Sequence, residues 1–282
     1  MEPCFYRILI IFGNFLRARQ SFRDNENFFC DYINKLFHHT PHNPFSHLIP
    51  LHTSLKAVQI LIGDDELEVR KSIYKKLYVL FSNASLPSMF IALFAFSSMD
   101  PSKQIRTEVQ QNLSASILRL KQEQNRASDK VKASGRFNVE VAVVTLVYLI
   151  SVRPIYTESE ASDPECLNDA KTCFDLLLNV LLSRDDHVFG RIATAMELMK
   201  LCGYTENNED ENKTVVRHLK TVCEVASFCI QKISAKKHVN IPHIPKNVAG
   251  RIIPQKLFKR LKVNLDENKT SLLTDDFYKK YR

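Results

Sequence analysis

Between Leu86 and Pro101 the chain reads LPSMFIALFAFSSMDP, with no charged side chain from Leu86 to Met99. Met89, Phe90, Leu93, Phe94 and Phe96 go right round a helix of period 3.6, with no polar stripe before Ser97. A helix apolar on every side is buried on every side. At about a dozen residues it is too short to cross a bilayer, which takes about 20. The stretch therefore predicts the inner helix of a layered protein, covered on both faces. Pro87 suits its start, where a missing N–H costs nothing. Asp100-Pro101 ends it and starts the next helix, with Asp100 as N-cap and Pro101 at the first helical position.

The neighbours fit that role. Before it, Val69, Ile73, Leu77 and Leu80 fall at i, i+4, i+8 and i+11, widened by Tyr74, Tyr78 and Phe81. After it, Ile105, Val109, Leu113, Ile117 and Leu120 form one stripe, opposed by Lys103, Arg106, Glu108 and Gln111. Two amphipathic helices around one all-apolar helix, over 65–121, describe stacked repeats in which no unit buries its own face alone.

The rest of the chain reads the same way. Residues 3–38 hold two helical patterns, and 38–52 form a Pro/His loop with five histidines. His38, His39 and His42 have no Cys or carboxylate at a supporting spacing, so no metal site is read there. Residues 51–62 are a short apolar helix, and 122–135 a polar linker ending in Gly135. The β-branched run 137–152 would suit a buried strand, but its length and surroundings favour a helix. Asp163-Pro164 repeats the Asp-Pro helix start for 164–183, and the next helix runs to Gly203. Residues 214–233 carry a narrow stripe of Val216, Leu219, Cys223, Ala226, Ile230 and Ile233. Beyond 236, Pro242, Pro245, Gly250 and Pro254 mark an extended or disordered segment.

Eight to ten helices and no clear strand predict an all-α fold: a HEAT-like helical-repeat solenoid with an extended basic C-terminal tail. The expected domains are 1–50, an insert or gene-model artefact; 51–235, the repeat body; and 236–282, the tail. The runner-up is a compact irregular helical domain.

Charge sharpens the division. Residues 232–282 hold 13 Lys and Arg against 4 Asp and Glu, a net of +9, leaving 26 basic and 27 acidic residues over 1–231. The body is neutral and the tail supplies the excess. Arg251, Lys256, Lys259, Arg260 and Lys262 bracket Leu257, Phe258, Leu261 and Val263. One reading of this cluster is a solvated end with a basic bias. The other is a tether to DNA or chromatin, acting through phosphate neutralisation without sequence preference. Phe258, Phe277 and Tyr278 are too few to read single-stranded bases by stacking.

Six glycines in 282 residues, against a usual ~7%, argue against Gly-rich phosphate loops and dinucleotide-binding turns. Seven cysteines without a CxxC pair read as small buried hydrophobes in a reducing compartment. MEPCFYRILIIFGNFL begins acidic and is broken by Arg7, so it reads as a helix rather than a targeting signal. No P-loop, HExxH or GxSxG occurs. Asp64-Asp65, Asp185-Asp186 and Asp275-Asp276 read as helix-start acids rather than an acid/base dyad. No enzyme, cofactor, membrane or small-molecule substrate is expected.

LPSMFIALFAFSSMDP resembles the LPxxYMAxFALxAxDP signature of the cohesin-associated Pds ("precocious dissociation of sisters", Pds-five) family of HEAT-repeat proteins. Gly63 to Leu77, GDDELEVRKSIYKKL, is similar to the family's acidic-then-VRxxFxxKL helix. Cys173 to Asp186 resembles its CLWFxLExLM segment, and LKTVCEVASFCI from Leu219 resembles LYTVCDVA. Residues 241–258 loosely echo its PVLPxRFF segment, and Glu2-Pro3-Cys4-Phe5 its EPCY. Phe90-Ile91 departs from Tyr-Met, and residues 8–50 have no counterpart. The resemblance covers about residues 51–258 and implies a C-terminal portion of the array. It implies a nuclear scaffold that binds and regulates cohesin on chromatin, maintaining sister chromatid cohesion through the cell cycle. The implied partners are cohesin subunits, the kleisin above all, and cohesin-release and establishment factors. The competing classes are a nucleic-acid-binding protein acting through the tail and a general HEAT-type adaptor.

Overall fold

The computed structural model describes residues 51–133, 135–153, 163–182, 186–205, 212–261, 273 and 275–281. The patterns read over residues 1–50, with His38, His39 and His42, lie outside them. The chain forms two compact units, residues 1–77 and 78–282, divided within one helix of the body read over 51–235.

In the first unit, α1 (Leu51–Ile62) buries Leu55, Val58, Leu61 and Ile62. The Asp64-Asp65 turn leads into α2 (Leu67–Ser82). The Asp64 carboxylate accepts from the Glu66 N–H at 2.9 Å, and the Arg70 guanidinium donates back to the Asp64 and Asp65 carbonyls at 2.7 and 2.9 Å.

The same device recurs in the second unit. Asp100 accepts from the Ser102 N–H at 2.8 Å, and Arg106 donates to the carbonyls of Asp100 and Pro101. From Asp64 to Asp100 is 36 positions, near the ~40-residue period of HEAT-type arrays. The two turns share this device although the letters around them show only faint tandem similarity. The cap of α3 (Lys103–Arg126) is Ser102, whose hydroxyl accepts from the Ile105 N–H, rather than the expected Asp100. Arg106 holds both carbonyls of Asp100-Pro101 outside the helix, so the start moves two residues on. At Asp163-Pro164 the expectation holds: Asp163 accepts from the N–H groups of Glu165 and Cys166, and Pro164 opens α6 (Pro164–Leu181).

The stretch that organises the chain is central, but it is a 3-10 helix, Ser88–Met99, rather than an α-helix. It packs against α3, α5 (Val141–Ser151) and α6. Phe90, Ile91, Leu93 and Phe94 are wholly buried, and Phe94 lies 5.7 Å from Phe81, centroid to centroid. A run apolar all round carries no period, so its letters could not separate 3.0 from 3.6 residues per turn. At about 2.0 Å rise per residue it spans about 24 Å, where an α-helix would span about 18 Å. Ser97 and Ser98 return their hydroxyls to the carbonyls of Phe94 and Ala95 at 2.8 and 2.7 Å. Ser88 ties the start to 136–138, its N–H on the Arg136 carbonyl and its hydroxyl on the Asn138 carbonyl.

The run 137–152 is a helix: from Ala142 to Ser151 every side chain of α5 is buried. The stretch read as a linker is largely helical too, since α3 continues to Arg126 and α4 (Asp129–Ala133) follows. α7 (Asp186–Met199) and α8 (Asn212–Lys237) pack on each other, and α8 also packs on α5 and α6. The α7 helix stops at Met199, so Gly203 is not its cap; it lies in a strand, β1 (Cys202–Tyr204).

That strand has a partner in the segment read as an extended tail. β2 (Phe258–Arg260) pairs antiparallel with β1, with Tyr204 opposite Phe258 and Cys202 opposite Arg260. Ahead of it come α9 (Lys246–Ala249), which packs on α7, and a 3-10 turn, Gly250–Ile252. Ile244, Ala249, Ile252, Leu257 and Phe258 are buried. The prolines that suggested disorder are the corners. The Pro245 carbonyl accepts from Val248 and Ala249, and the Pro254 carbonyl from Leu257 and Phe258. Last is α10 (Asp275–Tyr281).

Candidate interaction surfaces

The described part of the basic cluster stands on this ordered ribbon. Leu257 and Phe258 face inward, where Phe258 meets Tyr148 at 6.0 Å and Tyr204 at 5.7 Å, centroid to centroid. The Tyr204 hydroxyl bonds that of Ser151. Backbone bonds fix both ends, Thr205 N–H to the Leu257 carbonyl and Leu261 N–H to the Leu201 carbonyl. The Thr205 hydroxyl donates to the Lys256 carbonyl at 2.8 Å. An aromatic anchor thus holds Lys256 and Arg260 outward, both exposed, with Lys259 half-buried between them. Arg251 is exposed on the preceding 3-10 turn. Lys262 lies outside the described residues. The sequence did not show that the apolar residues among these cations form the segment's anchor.

A second surface escaped the sequence reading, which followed only the inner stripe of α8. On another face Glu224, Phe228 and Lys232 recur at i, i+4 and i+8, and α10 lies along them. Phe228 meets Phe277 at 5.3 Å and Tyr278 at 5.7 Å, both edge to face. Lys171 of α6 stands 4.9 Å over the Tyr281 ring, and Asn168 accepts from the Tyr281 hydroxyl at 2.8 Å.

Cys166, Cys173, Cys202, Cys223 and Cys229 are all buried. Burial pushes the Cys173 thiol up to about 12 against a hydrogen bond from Ser98, and raises Cys202, Cys223 and Cys229 as well. Such thiols pack as small hydrophobes. Glu140, almost fully buried, is ion-paired with Arg191, which ties the start of α5 to α7. Among the described residues no group of three or more His, Cys, Asp or Glu is placed to hold a metal ion. No helix there is long and apolar enough to cross a membrane.

Layered helices, inner elements buried all round and a loop-to-helix device that recurs after 36 residues define a helical-repeat protein of HEAT type. The family model described as "Sister chromatid cohesion protein PDS5 protein" matches residues 35–259, and the chain belongs to that family. The match begins within the segment read as 1–50 and ends before α10. The chain is 29% identical over 221 residues to Sister chromatid cohesion protein PDS5 homolog A of Mus musculus, covering 76% of this chain and 16% of that protein. The Homo sapiens homolog A is likewise 29% identical over 221 residues, 76% of this chain and 15% of that protein. Homolog A-B of Xenopus laevis is 27% identical over 243 residues, 82% and 17%. The chain thus spans about one sixth of the length of these relatives.

Proposed function

We propose that this chain is a non-enzymatic scaffold that binds and regulates cohesin on chromatin in the nucleus, and so maintains sister chromatid cohesion. Its partners in this reading are cohesin subunits, the kleisin among them, and cohesin-release and establishment factors. The observation that carries it is the family match over residues 35–259, on a fold built almost entirely of packed helices. The test is affinity capture of the full chain from nuclear extract. Recovery of the kleisin with other cohesin subunits is expected. Capture of none, or of partners unrelated to cohesin as a general adaptor would give, overturns the reading.

A second, compatible role rests on the exposed Arg251, Lys256 and Arg260. On this reading they neutralise duplex phosphates weakly and without sequence preference. Each phosphate neutralised steepens the log–log salt dependence by about 0.9. Truncation after Ser234 is a poor test, because it also removes the buried Ile244, Ile252, Leu257 and Phe258. Replacing Arg251, Lys256, Lys259 and Arg260 together by Gln leaves that anchor intact. Low-salt anisotropy with a duplex should then show weaker binding and a shallower salt slope. Unchanged affinity eliminates the tether.

A further inference from the structure

The segment ending in α10 is held by a surface of specific chemistry. Three residues of α8, one turn apart, each take a different part of it. Glu224 accepts from the Leu273 N–H at 3.1 Å, Phe228 packs edge to face on Phe277 and Tyr278, and the Lys232 ammonium donates to the Tyr281 carbonyl at 2.6 Å. From Glu224 to Lys232 is about 12 Å along the helix. The acid therefore receives the segment's amino-terminal side and the cation its last helical carbonyl. That polarity complements a helix dipole and fixes the direction of what lies there.

The facing helix adds selectivity for aromatic rings. Lys171, itself paired with Asp175 at 2.6 Å, is held over Tyr281, and Asn168 reads its hydroxyl. Tyr281 also packs at a tilt against Phe277, 5.0 Å between centroids. Phe277 and Leu273 are buried. The features recognised are thus Phe-Tyr-x-x-Tyr on a short helix with a free carbonyl end. The segment that supplies them lies beyond the part of the chain that matches the family, whereas every residue that receives them lies inside it.

We propose that the α6–α8 surface is a docking site for a short partner helix carrying paired aromatics in this pattern, and that Leu273 and α10 occupy it in cis as a competing latch. Helix-in-groove recognition of this kind reads a few anchor side chains at helical spacing. The occupant is a protein segment, because both ends of the site contact backbone groups. This goes beyond the cohesin scaffold reading and does not depend on it.

The test uses the full chain and a fluorescent peptide of residues 271–282, SLLTDDFYKKYR. On the intact chain the peptide meets a filled site and binds weakly. Tyr278→Ala with Tyr281→Ala, at positions that are not deeply buried, should weaken the latch and raise peptide affinity at least ten-fold. Adding Phe228→Ala should remove that gain, and a peptide with Phe277→Ala and Tyr281→Ala should not bind. A second measurement needs no substitution: saturating peptide should speed amide exchange at residues 277–281 of the wild-type chain. Equal peptide affinity for latched and released chains, tight binding that survives Phe228→Ala, or unchanged exchange overturns the proposal. A released chain that dimerises by exchanging residues 273–281 would assign the site to a second copy and overturn it equally.

Discussion

Gly190→Ala separates what the local sequence favours from what the tertiary structure permits. Gly190 lies inside α7, where glycine costs about 1 kcal/mol relative to alanine. On helix propensity alone the substitution stabilises the protein by about that amount. In the fold, a Cβ at Gly190 would sit 2.5 Å from the Pro242 carbonyl oxygen, 2.7 Å from Cγ1 of Ile244 and 2.9 Å from Cγ of Pro242. The first is backbone and cannot turn aside. Two responses are open. If the contact is absorbed in place, overpacking of this kind costs about 1–3 kcal/mol, at the upper end here because three atoms are involved. If residues 242–244 move off α7 instead, the burial of Ile244 is lost, about 1.5–3 kcal/mol for a side chain of that class. Either route exceeds the propensity gain and leaves a net loss of about 0.5–2 kcal/mol. Urea unfolding followed by circular dichroism should show a lower midpoint at an unchanged slope. A midpoint at or above that of the wild type would refute the packing of 242–244 on α7.

Phe94→Asp places an unpaired charge in the central layer, at a cost of several kcal/mol, comparable to the stability of a whole domain of about 5–15 kcal/mol; an unchanged thermal melt would show that the layer is not dry. Ala84 sits at φ +51°, where its N–H bonds the Phe81 carbonyl and the next N–H, of Ser85, bonds that of Leu80. Ala84→Gly should therefore stabilise by about 0.5 kcal/mol, relief of left-handed strain outweighing glycine's added chain entropy, read as a higher urea midpoint. His218 is buried on α8, and burial, then the neighbouring Arg217, lowers its pKa below 6.5. The unfolded chain then binds the proton more tightly, so stability is full above pH 6.5 and is lost as the pH falls towards the lower folded value. His218→Gln should flatten that part of a stability–pH profile, and a profile identical to the wild type would exclude the linkage.

The sequence by itself determined the class of fold and the inner layer. The uncharged run Leu86–Met99 has to be buried on every side wherever it sits, and the stripes of Val69, Ile73 and Leu77 and of Ile105, Val109 and Leu113 have to face inward, because transfer of apolar surface from water does not depend on the partner. The ordered motifs on either side of that run also named the family. Other features needed partners distant in the chain. The 3-10 geometry of Ser88–Met99 was invisible because an all-apolar run has no phase. The start of α3 moved because Arg106 folds back onto Asp100-Pro101. The strand at 202–204 exists only because residues 258–260, more than fifty positions away, lie beside it, and three residues carry too little pattern to announce a strand alone. The basic residues of the tail could be counted in advance. Their outward display could not, since it depends on Phe258 finding Tyr148 and Tyr204, three rings brought together from separate parts of the chain. The aromatic dock on α8 has the same origin: Glu224, Phe228 and Lys232 look like an ordinary solvated face until α10 lies across them.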